Sequence, residues 1–292
     1  MSNSLDVLMF GHMAKDRIVI DGHSAILSGG GAYFGSVVYR RLGLSVGVVT
    51  RLHRDDFPRF DELSQQGIQV FATPASETTG IENIYNSADM ERRICKPLGF
   101  AGAIRVNEIP DVAARLYAIT PIIAGEVELA VLVELAKRGP VALDVQGFVR
   151  VPEGDTLVFR ESQELHEALR HVTYLKVDRA EAEHLTGETD LALAARKLRA
   201  RGPREIVLTQ SSGVTVFADG QVYTAPFTPR SLAGRTGRGD TCFATYLGKR
   251  VDASAEEACR WAGAVTTLKQ ESPGPWRGSI KDVETLIAQR SN

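Results

Sequence analysis

Apolar residues concentrate in short runs along this chain, separated by stretches with a helical period. Residues 7–10, 46–49, 119–124, 141–145, 174–177 and 206–209 are such runs. Their Val/Ile/Leu character, without polar alternation, predicts strands covered on both faces. Between them, Leu191, Ala195 and Leu198 recur at i, i+4 and i+7, and Arg201-Gly202-Pro203 supplies a helix stop. Ser254 and Glu257 form a capping-box pair ahead of a stripe of Trp261, Val265 and Leu268. This alternation predicts an α/β fold, a mostly parallel sheet with helices on both faces. Residues 17–27 and 79–100 break the rhythm; they are more polar and read as extended or hairpin-like pieces.

Composition narrows the picture. At 292 residues the chain suits one large α/β domain or two small ones, and no linker divides it. A hydrophobic share of 43% supplies a sizeable core. With 34 basic against 36 acidic residues, nothing points to nucleic acid or an anionic membrane as partner. Cys95, Cys242 and Cys259 are widely spaced, which fits free thiols in a reducing compartment. Residues 1–10 contain Asp6 and lack a basic segment and a small-residue cleavage site, and no apolar run reaches the ~18 residues of a membrane span. A cytoplasmic protein is expected.

Several apparent motifs fail on their context. His53-Arg54-Asp55 resembles a protein-kinase catalytic triplet, but the required downstream asparagine position holds Phe60. Gly248-Lys249 has Phe243 where a phosphate loop needs its first glycine. No dinucleotide fingerprint follows a strand, and no histidine pair has metalloprotease spacing.

Gly234-Arg235-Thr236-Gly237-Arg238-Gly239-Asp240 is the most informative segment. Phe243, Tyr246 and Leu247 follow on one helical face, so the glycines sit at a helix amino terminus. Unpaired N–H groups and the helix dipole make such a turn an anion cradle. A carboxylate there can take a proton from an attacking hydroxyl during phosphoryl transfer. Taken alone, the segment reads rather as a plain glycine turn with Asp240 as helix N-cap. A second cluster, Ser28-Gly29-Gly30-Gly31-Ala32-Tyr33-Phe34-Gly35, precedes a helical Val37, Val38 and Leu42 with Gly43 as cap.

Together these segments resemble the ribokinase-like (PfkB-type) carbohydrate kinases. Residues 236–240 match that family's Thr-Gly-x-Gly-Asp turn, with Arg238 where the family usually has alanine and Gly234 where it usually has aspartate. The resemblance implies Asp240 as catalytic base and an anion hole at Gly237, Arg238 and Gly239; the Arg238 side chain, outside the family pattern, either lends charge to the transferring phosphate or points outward. Gly29 and Gly30 resemble the family diglycine beside the acceptor, with Phe34 replacing a usual asparagine. Gly11 and Asp16 resemble its Gly…Asp pair, in which the aspartate binds acceptor hydroxyls. Asp178 and Glu181 resemble its magnesium- and phosphate-organising motif, with Glu181 acting on Mg²⁺ indirectly. Thr209, Ser211 and Gly213 resemble its nucleotide strand end, and Gly263 and Gly274 fall where it lines adenine. Asp144-Val145-Gln146-Gly147-Phe148-Val149-Arg150, with Asn83, Tyr85, Arg92 and Arg93, looks most like the inositol-kinase branch. Glu126, just past an expected strand, is a further acceptor candidate.

The resemblance implies a three-layer α/β/α ribokinase-like fold over residues 1–292, with a small β lid from about 14–27 and 79–100. It implies ATP and Mg²⁺ as cofactors, and a homodimer through the lid. Three activities stay open at this point: a sugar or polyol kinase, including an inositol kinase; a nucleoside kinase with Tyr33 and Phe34 stacking on the base; and an inactive ligand-binding relative.

Overall fold

The computed structural model describes residues 4–86 and 89–291, with the side chains of 86, 89–93 and 291 outside the described set. The strands are β1 (Leu5–Phe10), β2 (Ala14–Ile20), β3 (His23–Gly29), β4 (Val46–His53), β5 (Gln69–Ala75), β6 (Gly80–Asn86), β7 (Asp89–Gly99), β8 (Ala114–Ile119), β9 (Val141–Asp144), β10 (Arg150–Glu153), β11 (Thr156–Phe159), β12 (Tyr174–Asp178), β13 (Glu205–Gln210), β14 (Gly213–Ala218) and β15 (Gln221–Pro226). The helices are α1 (Gly31–Arg41), α2 (Asp61–Gln65), α3 (Leu129–Ala136), α4 (Gln146–Val149), α5 (Leu165–Arg170), α6 (Arg179–Thr186), α7 (Leu191–Arg199), α8 (Arg238–Arg250), α9 (Ala255–Gln270) and α10 (Ile280–Ser291).

A nine-stranded sheet in the order β15-β14-β13-β12-β9-β8-β1-β4-β5 forms the middle layer. Its pairs are parallel from β5 through β13; β14 and β15 add antiparallel strands at one edge. The reason for the apolar runs is visible in β1. Val7 and Met9 pack under α1, α8 and α9, while Leu8 and Phe10 pack on the opposite layer with α3, α5 and α7. Both faces of the strand are covered, so both residue parities must be apolar.

The two polar interruptions build a second, four-stranded sheet in the order β3-β2-β6-β7. Its roots converge on a buried polar cluster. His12 N–H donates to Glu126 Oε1 at 2.6 Å, and the His12 ring lies 2.7 Å from Thr79 Oγ1, which also accepts from Ala101 N–H at 2.9 Å. The lid is therefore tied to the main sheet where its chain enters and leaves. A short hairpin, β10–β11, was not foreseen and packs beside β7.

One expected strand is corrected. The run 119–124 is not a strand; β8 ends at Ile119, and the chain leaves the sheet at Pro121, which has no N–H for a ladder. The N–H groups of Ile122 and Ile123 turn to Glu126 Oε2, at 2.8 and 3.4 Å. Apolar content there reflects burial rather than strand pairing. No helix among the described residues is long and apolar enough to cross a membrane.

Candidate active site

β1 leads away to β4 and β5 on one side, while β8, β9, β12 and β13 follow on the other. Ligand crevices in such sheets form at this reversal, beyond the carboxyl ends of the strands. A cleft of about 580 Å³ opens there, lined by Thr120, Asp144, Asp178 and Thr209 from the strand ends. The lid contributes Asp16, Ile81, Asn83 and Cys95, and the turn before α8 contributes Arg235 through Asp240.

Gly237 takes a left-handed conformation, φ 81°, as the N-cap of α8, which places Asp240 in that helix's first turn. A Cβ at Gly237 would lie 2.5 Å from the Phe34 ring, so only glycine permits this approach. A Cβ on Gly31 would lie 3.2 Å from Asp240 Oδ1, so the carboxylate faces the start of α1 across the cleft. The two glycine clusters thus meet around Asp240.

Beneath the turn lies a charged floor in which Asp144, Arg150, Asp178 and Glu181, all expected from the sequence, gather around Lys176, which was not. Lys176 Nζ is 3.0 Å from Asp144 Oδ2 and 3.9 Å from Glu181 Oε2, and Lys176 is 4% exposed. Burial works to lower its pKa, but Asp144, Glu181, Asp178 and Asp240 outweigh that and raise it, so it stays charged. A Cβ on Gly239 would lie 3.4 Å from this ammonium. Arg150 reaches Asp178 at 3.3 Å and Glu181 at 3.1 Å, and its buried Nε has no protein acceptor. Asp178 and Glu181 form a reciprocal capping box at α6, with Glu181 N–H on Asp178 Oδ1 at 2.8 Å and Asp178 N–H on Glu181 Oε2 at 2.7 Å. Burial pushes the Asp144 and Glu181 carboxyls upward, against the pull of Lys176.

On the lid side, Asp16 Oδ1 accepts from Ile81 N–H at 2.9 Å. Its other oxygen lies where a Cβ on Gly29 would be, 2.1 Å away, so Gly29 makes room for this carboxylate. Gly30, φ 88°, lines the cleft. Asn83 is 4% exposed, and its Oδ1 accepts from Cys95 Sγ at 3.4 Å. Tyr85 packs under Arg235, whose guanidinium carbon is 5.5 Å from the ring centroid, joining lid to anion turn. Gln146, inside the segment expected from the inositol-kinase likeness, also lines the cleft.

Other expected site residues lie elsewhere. Glu126 is fully buried; its carboxylate accepts from His12, Ile122 and Ile123, and it does not line the cleft. Phe34 borders the cleft but is 3% exposed, because its ring is held between Gly237 and the Lys269 ammonium. Tyr33 points to α2, its hydroxyl donating to Glu62 Oε2 at 2.6 Å. Ser211 is exposed, and Gly213 is paired against β15. Gly263 is packed so closely that a Cβ would meet that of Ala225 at 2.6 Å, and Gly274 turns beside Arg277. None of these four lines the cleft. The side chain of Arg92 lies outside the described residues.

Residues 17–280 match the pfkB family of carbohydrate kinases. A cytidine kinase of Thermococcus kodakarensis is 26% identical over 257 residues, covering 83% of this chain and 87% of that protein. Among solved structures, a pyrophosphate-dependent kinase in the ribokinase family, in a sulfate complex, is 37% identical with a TM-score of 0.89, over 95% of this chain and 99% of that one. Another structure, of a pyrophosphate-dependent kinase in the ribokinase family with a pyrophosphate analog and myo-inositol, is 36% identical with a TM-score of 0.88, over 96% and 99%. A glycine-capped helix presenting an aspartate to a cleft beneath a β lid, together with these likenesses, makes the chain a member of the pfkB family of carbohydrate kinases.

Proposed function

We propose that this kinase transfers a phosphoryl group from inorganic pyrophosphate to a hydroxyl of a cyclic polyol of the inositol type. The observation that carries this is the cationic lining of the cleft. Lys176, Arg150, Arg235 and Arg238 all line it, with Lys176 against Gly239. Gly213, Gly263 and Gly274, the positions the family resemblance gives to the nucleotide, do not line the cleft; Gly213 and Gly263 pack against β15 and Gly274 lies beside Arg277. Pyrophosphate asks for charge at both phosphates and no base pocket, and guanidinium groups suit it well. Two similar structures carry pyrophosphate dependence in their names, one with myo-inositol. ATP, expected from the family resemblance, fits these residues less well.

In this reading the acceptor oxygen attacks the terminal phosphorus as the bridging P–O bond breaks. Asp240 takes the hydroxyl proton, and the N–H groups of 237–239 with Arg238 hold charge developing on the transferred group. The leaving phosphate departs toward Lys176 and Arg150. Mg²⁺ commonly binds through one or two carboxylates plus substrate phosphates. Asp144 and Asp178 line the cleft and suit that arrangement, and no larger metal-ligand group gathers among the described residues. Bound there, the ion would neutralise phosphate charge.

Asp16, Asn83 and Gln146 offer polar contacts to acceptor hydroxyls, while Ile81, Ile122 and Leu157 offer an apolar wall. A cyclitol has both kinds of face. The nucleoside alternative loses its stacking platform, since Tyr33 and Phe34 are both buried. Ile26 and Ile94, 59% and 57% exposed on the lid, favour pairing of two copies through it, and free Cys95, Cys242 and Cys259 suit a cytoplasmic setting. The test is an acceptor panel with pyrophosphate, followed by ³¹P NMR. A phosphomonoester should form with inositols and not with ribose or cytidine; preferred phosphorylation of cytidine would overturn the acceptor assignment.

A further inference from the structure

Lys269, on the last turn of α9, is 1% exposed and is used by none of the steps above. Its ammonium donates to the backbone carbonyls of Gly234 and Thr236, and it lies 5.1 Å from the centroid of the Phe34 ring. That ring in turn lies against Gly237. The same stretch is held to α9 by its backbone, since Gly234 N–H donates to Gln270 O at 2.7 Å. A Cβ on Gly234 would lie 1.8 Å from Ser272 O, so no other residue fits where the chain crosses the helix end.

Peptide planarity gives this arrangement a consequence. No peptide bond described here is cis, so the carbonyl of Thr236 and the N–H of Gly237 point in opposite directions across one plane. Holding the Thr236 carbonyl on Lys269 turns the Gly237 N–H the other way, and Gly237 lines the cleft. We propose that Lys269 is a positioning residue, a built-in cation that grips the Gly234 and Thr236 carbonyls and thereby aims the anion turn at the donor. A buried charge is costly unless well bonded. Burial does lower the Lys269 pKa, to about 7, with Asp240 pulling it upward. Protonated or neutral, the amine keeps N–H groups to donate to both carbonyls, a task that an apolar residue cannot perform.

The inference rests on the kinase reading for its kinetic arm, and an exchange arm is independent of activity. Lys269→Ala and Lys269→Met are compared with wild type. If the grip aims the turn, kcat falls roughly 10²-fold or more, as when an oxyanion donor is lost, while acceptor KM changes little. Ammonium chloride restores much of the lost kcat to the alanine variant, whose missing side chain leaves room, and none to the methionine variant. Amide hydrogen exchange over 232–240 accelerates in both variants, and ammonium slows it in the alanine variant alone. Wild-type exchange over 232–240 in a folded methionine variant would overturn the proposal, even if the alanine variant fails to fold. So would a kcat loss in the alanine variant that ammonium leaves untouched. A wild type inactive with every donor sinks the kinase reading instead, and the exchange arm still decides the role of Lys269.

Discussion

Asp240, the proposed base, occupies the first turn of α8 beside the N–H groups of the helix start. Asp240→Asn keeps the shape of the turn and removes the proton acceptor. Turnover should fall about 10²–10⁴-fold with donor affinity little changed; near-wild-type kcat would reduce Asp240 to a helix cap. Asp16 is held by Ile81 N–H at the lid face of the cleft. Asp16→Ala should raise acceptor KM about tenfold or more, since a charge-assisted hydrogen bond contributes roughly 1.5–3 kcal/mol, and should leave donor KM nearly unchanged. Phe34 carries a different expectation from the one its sequence position suggests. Its ring supports Gly237 and faces Lys269. Phe34→Asn should therefore lower kcat and Tm together without improving ribose as an acceptor; a gain for ribose would return the ring to the acceptor site. Asp240 and the glycines were legible because their chemistry is packed into a few consecutive residues. Lys176 and Lys269 were not, because their partners come from distant segments; Lys176 at least sits inside the apolar run 174–177, whereas Lys269 in its helix carries no local mark of burial.

At the scale of elements, the Ser254 cap of α9 was written in local sequence, while the Asp178–Glu181 pair, read there as a phosphate-organising motif, also proves to be the capping box that starts α6. Strand interiors were equally plain, since coverage on both faces leaves an apolar run. Boundaries were less so: residues 119–124 are apolar because they pack inside the hinge region, and Pro121 ends the ladder. The β10–β11 hairpin has only four-residue strands, too short for a pattern to show. The lid's root offers a pH test. Burial raises the Glu126 pKa from its usual 4.5 to about 7, and lowers His12 to about 3, so His12 is neutral. Between pH 4.5 and 7 the folded state holds a proton on Glu126 that the unfolded chain has released. The stability from this group is thus present below 4.5 and lost as pH rises to 7. Relative to Glu126→Gln, wild type should lose on the order of 1–3 kcal/mol across that interval, measured by denaturant unfolding. Parallel pH curves would show that Glu126 does not titrate there.

For the whole molecule, the strand order explains why so few residues needed to be found by motif. Thr120, Asp144, Asp178 and Thr209 end neighbouring strands of one sheet, so its twist and reversal bring them to one cleft. Fold class could be read from the sequence for that reason, and the proposed base falls where the same sheet end meets α8. The donor proposed above could not, because it depends on which side chains are packed away, and Gly263 looks the same in sequence whether it faces a base or Ala225. The central claim is that the donor site is built for two phosphates and no nucleoside. It is tested most directly by kcat/KM for pyrophosphate against ATP, with myo-inositol as acceptor and Mg²⁺ present. The account predicts strong preference for pyrophosphate, about 10²-fold or more, as expected when buried cations are matched to one ligand and misplaced for another. Equal or better turnover with ATP would contradict it.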